Sequence, residues 1–170
     1  MRTYFLILIW ALPISLSAQA LWQKTEYGMS PKDVRALMPD AIDPKKISHL
    51  KSGANELLQI ENFVVVQRNF SVHFYFSDKK LEQVTLTLKR REEDTFHSYM
   101  QTFDSLSEAL RAKYGAEVSK DKKDYDGYRQ VEAMWMSGRT NIGIVLFDVY
   151  GSLLLKVNYQ VRISKESEKL

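Results

Sequence analysis

The 170-residue sequence contains no cysteine, which excludes disulfides, thiolate metal sites, iron–sulfur clusters and a cysteine nucleophile. Glycine and proline are scarce, at 7 and 4 residues, so a low-complexity or collagen-like chain is excluded. Neither sign of charge dominates, because 24 basic residues are mixed with 21 acidic ones for a net charge of +3. Such a balance gives no strong field for nucleic acid, and we expect no nucleic-acid partner.

The one long apolar run lies at the amino terminus. It covers 5–12, follows Arg2, and is succeeded by small residues that end in an Ala-x-Ala sequence at Ala20. This order predicts a secretory signal peptide over residues 1–20. The run is far shorter than the ~20 residues that cross a bilayer, and no cysteine follows it, so we expect neither a transmembrane segment nor a lipid anchor.

The chain as a whole has 45% hydrophobic and 26% charged residues, which is typical of a folded domain. We therefore expect a soluble exported protein, periplasmic or secreted. Its single domain should span residues 21–163, and residues 164–170 should form a charged flexible tail.

Capping signals predict two helices. Ser30 suits an N-cap and Pro31 the first helical position of a short helix. The second helix opens at Asp94–Thr95, carries apolar residues at three- and four-residue steps, and ends at Gly115.

Alternating hydrophobicity predicts six strands, three after each helix. They cover 58–67, 70–76, 81–88, 129–136, 141–147 and 153–160. The short links predict antiparallel hairpins, and the charged segment over 117–128 is predicted to be a loop. The expected fold class is α+β, an antiparallel sheet of about six strands with helices packed on one face.

The order of one helix and three strands occurs twice. This predicts two α-β-β-β units, over about 22–90 and 91–163, that arose by internal duplication. The halves correspond at a shift of 71 or 72 residues, which matches Phe70 with Ile142 and Val84 with Leu155.

A short motif opens the first helix, and its residues are Tyr27–Gly28–Met29–Ser30–Pro31–Lys32–Asp33–Val34. It resembles the Gly-Met-Ser/Thr-x-x-Glu/Asp-Val helix opening of SmpA/BamE-like outer-membrane assembly proteins and of the β-lactamase-inhibitor-protein superfamily. In the inhibitor proteins, two helix-and-sheet units lie in tandem and a concave sheet grips the partner. The resemblance implies a tandem helix-plus-sheet fold and transfers no functional residue. The chain departs from these groups because it lacks both the anchoring cysteine of the lipoproteins and the disulfides of the inhibitors.

No catalytic or metal-binding motif is present. The three histidines, His49, His73 and His97, show no metal-ligand spacing. There is no nucleophile elbow, Walker loop or dinucleotide fingerprint. We therefore expect no cofactor, no metal and no catalytic residue. An enzyme of unknown class and a protein that holds a lipid or small molecule between sheet and helices remain alternatives.

The strands carry apolar side chains on both faces, whereas a sheet covered on one side is usually polar on the other. One explanation is that the second face packs against the other repeat, the segment with Trp22, or the tail. The other is an exposed patch for a partner. On the second explanation, the protein is a non-catalytic binding module that acts on another cell-envelope protein. The predicted contact residues are Phe63, His73, Tyr75, Met136 and Phe147.

Overall fold

The structure is a computed structural model that describes residues 20–162. The predicted signal peptide, except for Ala20, and the predicted tail over 164–170 lie outside the described residues. Neither helix of the described chain combines the length and hydropathy needed to span a bilayer.

The two predicted helices are confirmed, and their ends follow the capping signals. Helix α1 spans Pro31–Leu37, where Ser30 and Asp33 exchange hydrogen bonds in a capping box. Helix α2 spans Phe96–Tyr114, with Thr95 as its N-cap. Gly115 follows α2 with φ of +83°, a conformation that side chains disfavour.

Nine strands form two antiparallel sheets. Strands β1 (Ala20–Trp22) and β2 (Thr25–Glu26) make a small hairpin. The large sheet has the order β3-β4-β5-β9-β8-β7-β6. Its strands are β3 (Asn55–Val65), β4 (Arg68–Ser77), β5 (Lys80–Leu88), β6 (Ser119–Tyr125), β7 (Tyr128–Ser137), β8 (Thr140–Val149) and β9 (Ser152–Val161). The α+β class is confirmed.

The large sheet has seven strands rather than about six, because the segment predicted as a loop over 117–128 contains β6. This strand pairs with β7 from Ser119 opposite Met134 to Tyr125 opposite Tyr128. All seven of its residues are exposed, since it is the edge strand and carries lysine and aspartate on both faces. No alternation in hydrophobicity marks such a strand in the sequence.

One hydrophobic core lies between the large sheet and the helices. The inward side chains of the central strands are buried: Phe70, Val72, Phe74, Val84, Leu86, Leu88, Ile142, Ile144 and Leu146. Helices and hairpin contribute the other side of the same core: Leu21, Trp22, Val34, Tyr99, Phe103, Leu106 and Leu110. Both helices therefore cover one face of the sheet. No helix or strand within residues 20–162 packs on the other face.

The turn between β4 and β5 offers a test of local strain. Asp78 and Lys79 are exposed and have φ of +48° and +62°, the pair of left-handed residues that a type I′ hairpin turn requires. Lys79→Gly should raise the free energy of unfolding by about 1 kcal/mol, because glycine adopts this conformation without a steric cost. Urea unfolding measures the change. Lys80→Gly, one residue later within β5, should instead be destabilising. An equal gain in stability from both substitutions would refute the interpretation that the left-handed conformation of Lys79 is strained.

Candidate functional site

We use the term open face for the sheet face on which no helix or strand of residues 20–162 packs. The loop before β3 reaches one end of this face through Ser48. Four of the five predicted contact residues lie on it: His73, Tyr75, Met136 and Phe147. They form two groups, one on β4 and one on β7 and β8, separated by β5 and β9. Tyr75 is only 8% exposed, so a substitution there tests stability more than partner contact.

The expectation that Phe63 lies on the open face is wrong. Strand β3 has an irregular register between Ile60, which pairs with Val72, and Phe63, which pairs with Phe70. This β-bulge inserts one residue and reverses the alternation. Phe63 consequently points to the core side, where its ring lies 5.2 Å from that of Trp22.

The contacts of Trp22 show where β1, the first described element, packs. Its ring meets Phe74 edge-on at 5.9 Å between centroids, and Phe74 is an inward residue of β4. The segment therefore covers the core side of the sheet and leaves the open face free of it.

A sector of the open face surrounds Gly143 on β8 and combines apolar side chains with the polar Glu132, Asn141, Asn158 and Gln160. Because glycine has no side chain, a hollow of about 350 Å³ forms there, and we call it the Gly143 depression. Its rim includes Met134, which is 38% exposed, together with Val145 and Phe147. Met136, 47% exposed, extends the sector beyond Met134 along β7. Flexible and aromatic side chains around a hollow are typical of protein-binding surfaces.

Aromatic rings continue this sector toward the end of the sheet. The rings of Tyr125 and Tyr128 stack at 6.2 Å, and Tyr128 lies 6.4 Å from Phe147. The Tyr128 hydroxyl donates to Gln130 Oε1 at 2.5 Å, and Gln130 Nε2 donates to Glu132 Oε2 at 2.8 Å. These hydrogen bonds along β7 fix the side chains of Gln130 and Glu132, which lie between Tyr128 and Met134 on the open face.

A polar cluster occupies the opposite end of the open face, beside β3. His73 donates from Nδ1 to Glu56 Oε1 at 2.7 Å, and the Ser48 hydroxyl donates to Glu56 Oε2 at 2.5 Å. The Tyr75 hydroxyl lies 3.0 Å from Ser48 Oγ. Because Glu56 is buried, these donors replace the water that an exposed carboxylate would bind.

The titration of the cluster follows from these contacts. Burial raises the pKa of Glu56, but hydrogen bonds from His73 and Ser48 outweigh it and hold the pKa below its usual value. Burial raises the pKa of the Tyr75 hydroxyl, which therefore stays protonated at neutral pH. Glu56 is accordingly ionised and orients the imidazole.

The order of these bonds differs from that of a catalytic triad. In a triad the serine donates to the imidazole, whereas Ser48 donates to the Glu56 carboxylate. Within residues 20–162, no side chain hydrogen-bonds Nε2 of His73. The cluster therefore contains an oriented histidine without an activated nucleophile.

Uncharged polar groups link the two sectors across the middle of the sheet. Gln83 Nε2 donates to Thr85 Oγ1, and Thr85 Oγ1 donates to Asn158 Oδ1, both at 2.9 Å. Asn158 lies opposite Gly143 in the register and lines the Gly143 depression. The middle of the open face therefore presents amide and hydroxyl groups held in place by hydrogen bonds, next to the apolar side chains of Met134, Val145 and Phe147.

Several residues of this site were not predicted as contacts. Met134 and Val145 alternate with buried neighbours, so the period-two pattern that placed Met136 and Phe147 also applies to them. The depression itself has a signal, since an isolated glycine within a strand marks a place where a ligand or backbone approaches closely. Ser48 and Glu56 gave no signal because their partners are distant in sequence.

No three histidine, aspartate or glutamate side chains in the described part of the chain are grouped to hold a metal ion. No protein-family model, curated protein or solved structure matches the chain.

Proposed function

We propose that this protein is a non-catalytic exported binding module that contacts another cell-envelope protein through the open face. The observation that carries the proposal is the position of Met134, Met136 and Phe147 together on a face that no described element covers. Exposed apolar patches of this kind mark interaction sites. Methionine and aromatic residues are also enriched where protein partners bind.

The edges of the sheet favour recognition by the face. Strand β6 carries exposed charges from Lys120 to Asp124, a feature that discourages pairing with another strand. At the other edge, Ile42 and Gln59 exchange backbone hydrogen bonds, and Glu56 donates its backbone N–H to Ser48. Part of β3 is therefore already paired, which leaves the face as the larger available surface.

The signal-peptide pattern over residues 1–20 supports export to the periplasm or beyond. The proposal includes two duplicated α-β-β-β units, as the SmpA/BamE-like resemblance implies. Two meanders, β3–β4–β5 and β7–β8–β9, each run from near an edge to the centre of the sheet. Leu86 on β5 also lies opposite Val157 on β9, its counterpart at a shift of 71 residues. Strand β6 lies outside this pattern.

The test compares two substitutions that differ in the face they alter. Met134 and Leu37 are both 38% exposed, but Leu37 lies on α1, on the covered side of the sheet. Cross-linked capture from cell-envelope extract should yield a dominant partner with wild-type protein and with Leu37→Glu, and lose it with Met134→Glu. With the purified partner, Met134→Glu should weaken binding at least about 30-fold, the loss expected at a hot spot.

A second variant changes the shape of the face without adding charge. A Cβ atom at Gly143 meets no atom within 4 Å, so Gly143→Val should occupy the base of the depression while the domain stays folded. It should also raise the free energy of unfolding, because valine suits a strand better than glycine. Binding that survives both Gly143→Val and Met134→Glu, or that is lost equally with Leu37→Glu, would refute the proposed face.

A further inference from the structure

An apolar pocket lies on the core side of the sheet, beside the second half of α2. Its volume is about 240 Å³. Its lining includes Trp22 of β1, Phe63 of β3, and Leu106 and Leu110 of α2. Its lining also includes the exposed residues Val64, Ala109 and Lys113, so the pocket opens to solvent. Concave and mostly apolar pockets of this kind are typical of small-molecule sites. This space is therefore large enough for a ligand.

Tyr159 brings a polar group to the lining of this pocket. It is 8% exposed, and no residue within 20–162 forms a hydrogen bond with its hydroxyl. Burial, with a smaller effect from Tyr114, raises the pKa of the hydroxyl, so it keeps its proton. Arg68 Nε is the one buried side-chain nitrogen or oxygen without a hydrogen-bond partner in residues 20–162, so solvent reaches the Tyr159 hydroxyl. A polar atom of a ligand would accept its hydrogen bond in place of water.

Lys113 gives the pocket a positive charge. It is exposed, and it is the one charged residue among the described residues that line the pocket. Its ammonium group lies 5.0 Å from the centroid of the Tyr114 ring. Since no carboxylate lines the pocket, its charge is complementary to an anion rather than to a cation.

We propose that this pocket binds a single-chain fatty acid, with the alkyl chain among Trp22, Leu106 and Leu110 and the carboxylate beside Lys113. The site lies on the opposite side of the sheet from the open face, so the inference does not depend on the proposed partner. The combination of one apolar space, one cation and one hydroxyl in the lining matches a molecule with one chain and one small acidic head.

The experiment titrates the full chain, freed of bound lipid on a hydrophobic resin, with decanoate and separately with decanol. Calorimetry measures binding, and a change in tryptophan fluorescence, to which Trp22 contributes together with Trp10 and Trp135, reports on the pocket. Lys113→Met should weaken decanoate binding about fivefold, the upper range for one exposed ion pair. The same variant should leave decanol binding unchanged, because decanol carries no charge.

A matched pair of variants on α2 tests whether the amphiphile binds in this pocket. Ala109 and Ala112 are both exposed on α2, but Ala109 lines the pocket and Ala112 does not. Ala109→Phe should abolish the binding of both amphiphiles, and Ala112→Phe should bind as wild type. Wild-type protein that binds neither amphiphile below its aggregation limit, or equal binding by the two alanine variants, would overturn the proposal. Binding to phosphatidylcholine vesicles that Ala109→Phe leaves intact would point to a lipid surface instead, and would also overturn it.

Discussion

Replacing Trp135 with alanine is expected to lower the free energy of unfolding by about 4 kcal/mol. The Trp135 side chain is fully buried on the inward face of β7, opposite Ile142. Its Nε1 donates to the carbonyl oxygen of Gly115 at 3.0 Å and so ties β7 to the end of α2. Alanine leaves a cavity and removes this donor, and both changes are destabilising. Urea unfolding at neutral pH measures the loss.

Met136→Ala is the matched control, because Met136 is the next residue on the same strand and points to the open face. Its side chain is 47% exposed, so the expected change is within about 0.5 kcal/mol. Both substitutions truncate a large apolar side chain to alanine, one on the core side of the sheet and the other on the open face. A loss from Met136→Ala as large as that from Trp135→Ala would show that the open face is covered in solution, which would contradict the proposed binding site.

The elements that the sequence predicted are those that bury one face. Strand β8 alternates strictly, and β4 does so except at the buried Tyr75, because their inward residues, such as Phe74 and Ile144, enter the core while their outward neighbours do not. The helices were predictable because Ser30 and Thr95 cap their first turns through side chains close in sequence. Burial and local capping both leave a pattern that a single sequence displays.

The elements that the sequence did not predict depend on pairing rather than burial. Strand β6 has no buried residue, and its place at the edge comes from the hydrogen bonds that β7 offers. The orientation of Phe63 depends on a bulge, which is a property of the register with β4. Neither feature changes the composition of its own segment, so propensity and alternation do not report it.

The residues of the candidate site also fall into a group that the sequence predicted and a group that it did not. The methionine and aromatic residues were predictable because alternation sends Met136 and Phe147 to the face opposite Trp135 and Leu146. The polar cluster was not, because the bond between Ser48 and Glu56 joins a loop to an edge strand. Contacts of that kind follow only from the folded chain.

Asp94→Ala should cost about 3–5 kcal/mol, because it leaves the Arg68 guanidinium buried without its counter-ion. Arg68 donates to Asp94 Oδ2 at 2.7 Å, and the side chains are 11% and 3% exposed. The backbone N–H of Arg91 and the Ser98 hydroxyl also donate to this carboxylate, at 2.8 and 3.2 Å. One side chain therefore joins the start of β4 to the start of α2.

The same contacts predict how stability depends on pH. Burial raises the pKa of Asp94, but the Arg91 N–H, the Arg68 charge and the Ser98 hydroxyl outweigh it and hold the pKa below its usual value. A depressed carboxyl pKa stabilises the fold above the unfolded value of about 3.9, and this stabilisation is lost as the pH falls through the folded value. The gap in unfolding free energy between wild type and Asp94→Asn should therefore be large at pH 7 and shrink as the pH falls below 4.

Two controls separate the ion pair from the general effect of acid. Asp121→Ala removes an exposed carboxylate on β6 and should change the unfolding free energy by less than about 0.5 kcal/mol. The double variant Arg68→Met, Asp94→Leu removes both charges and should recover most of the loss, because well-packed apolar side chains can replace a buried ion pair. If Asp94→Ala costs no more than Asp121→Ala, or if its cost is the same at pH 7 and pH 3, then Asp94 does not hold α2 against β4 through its charge.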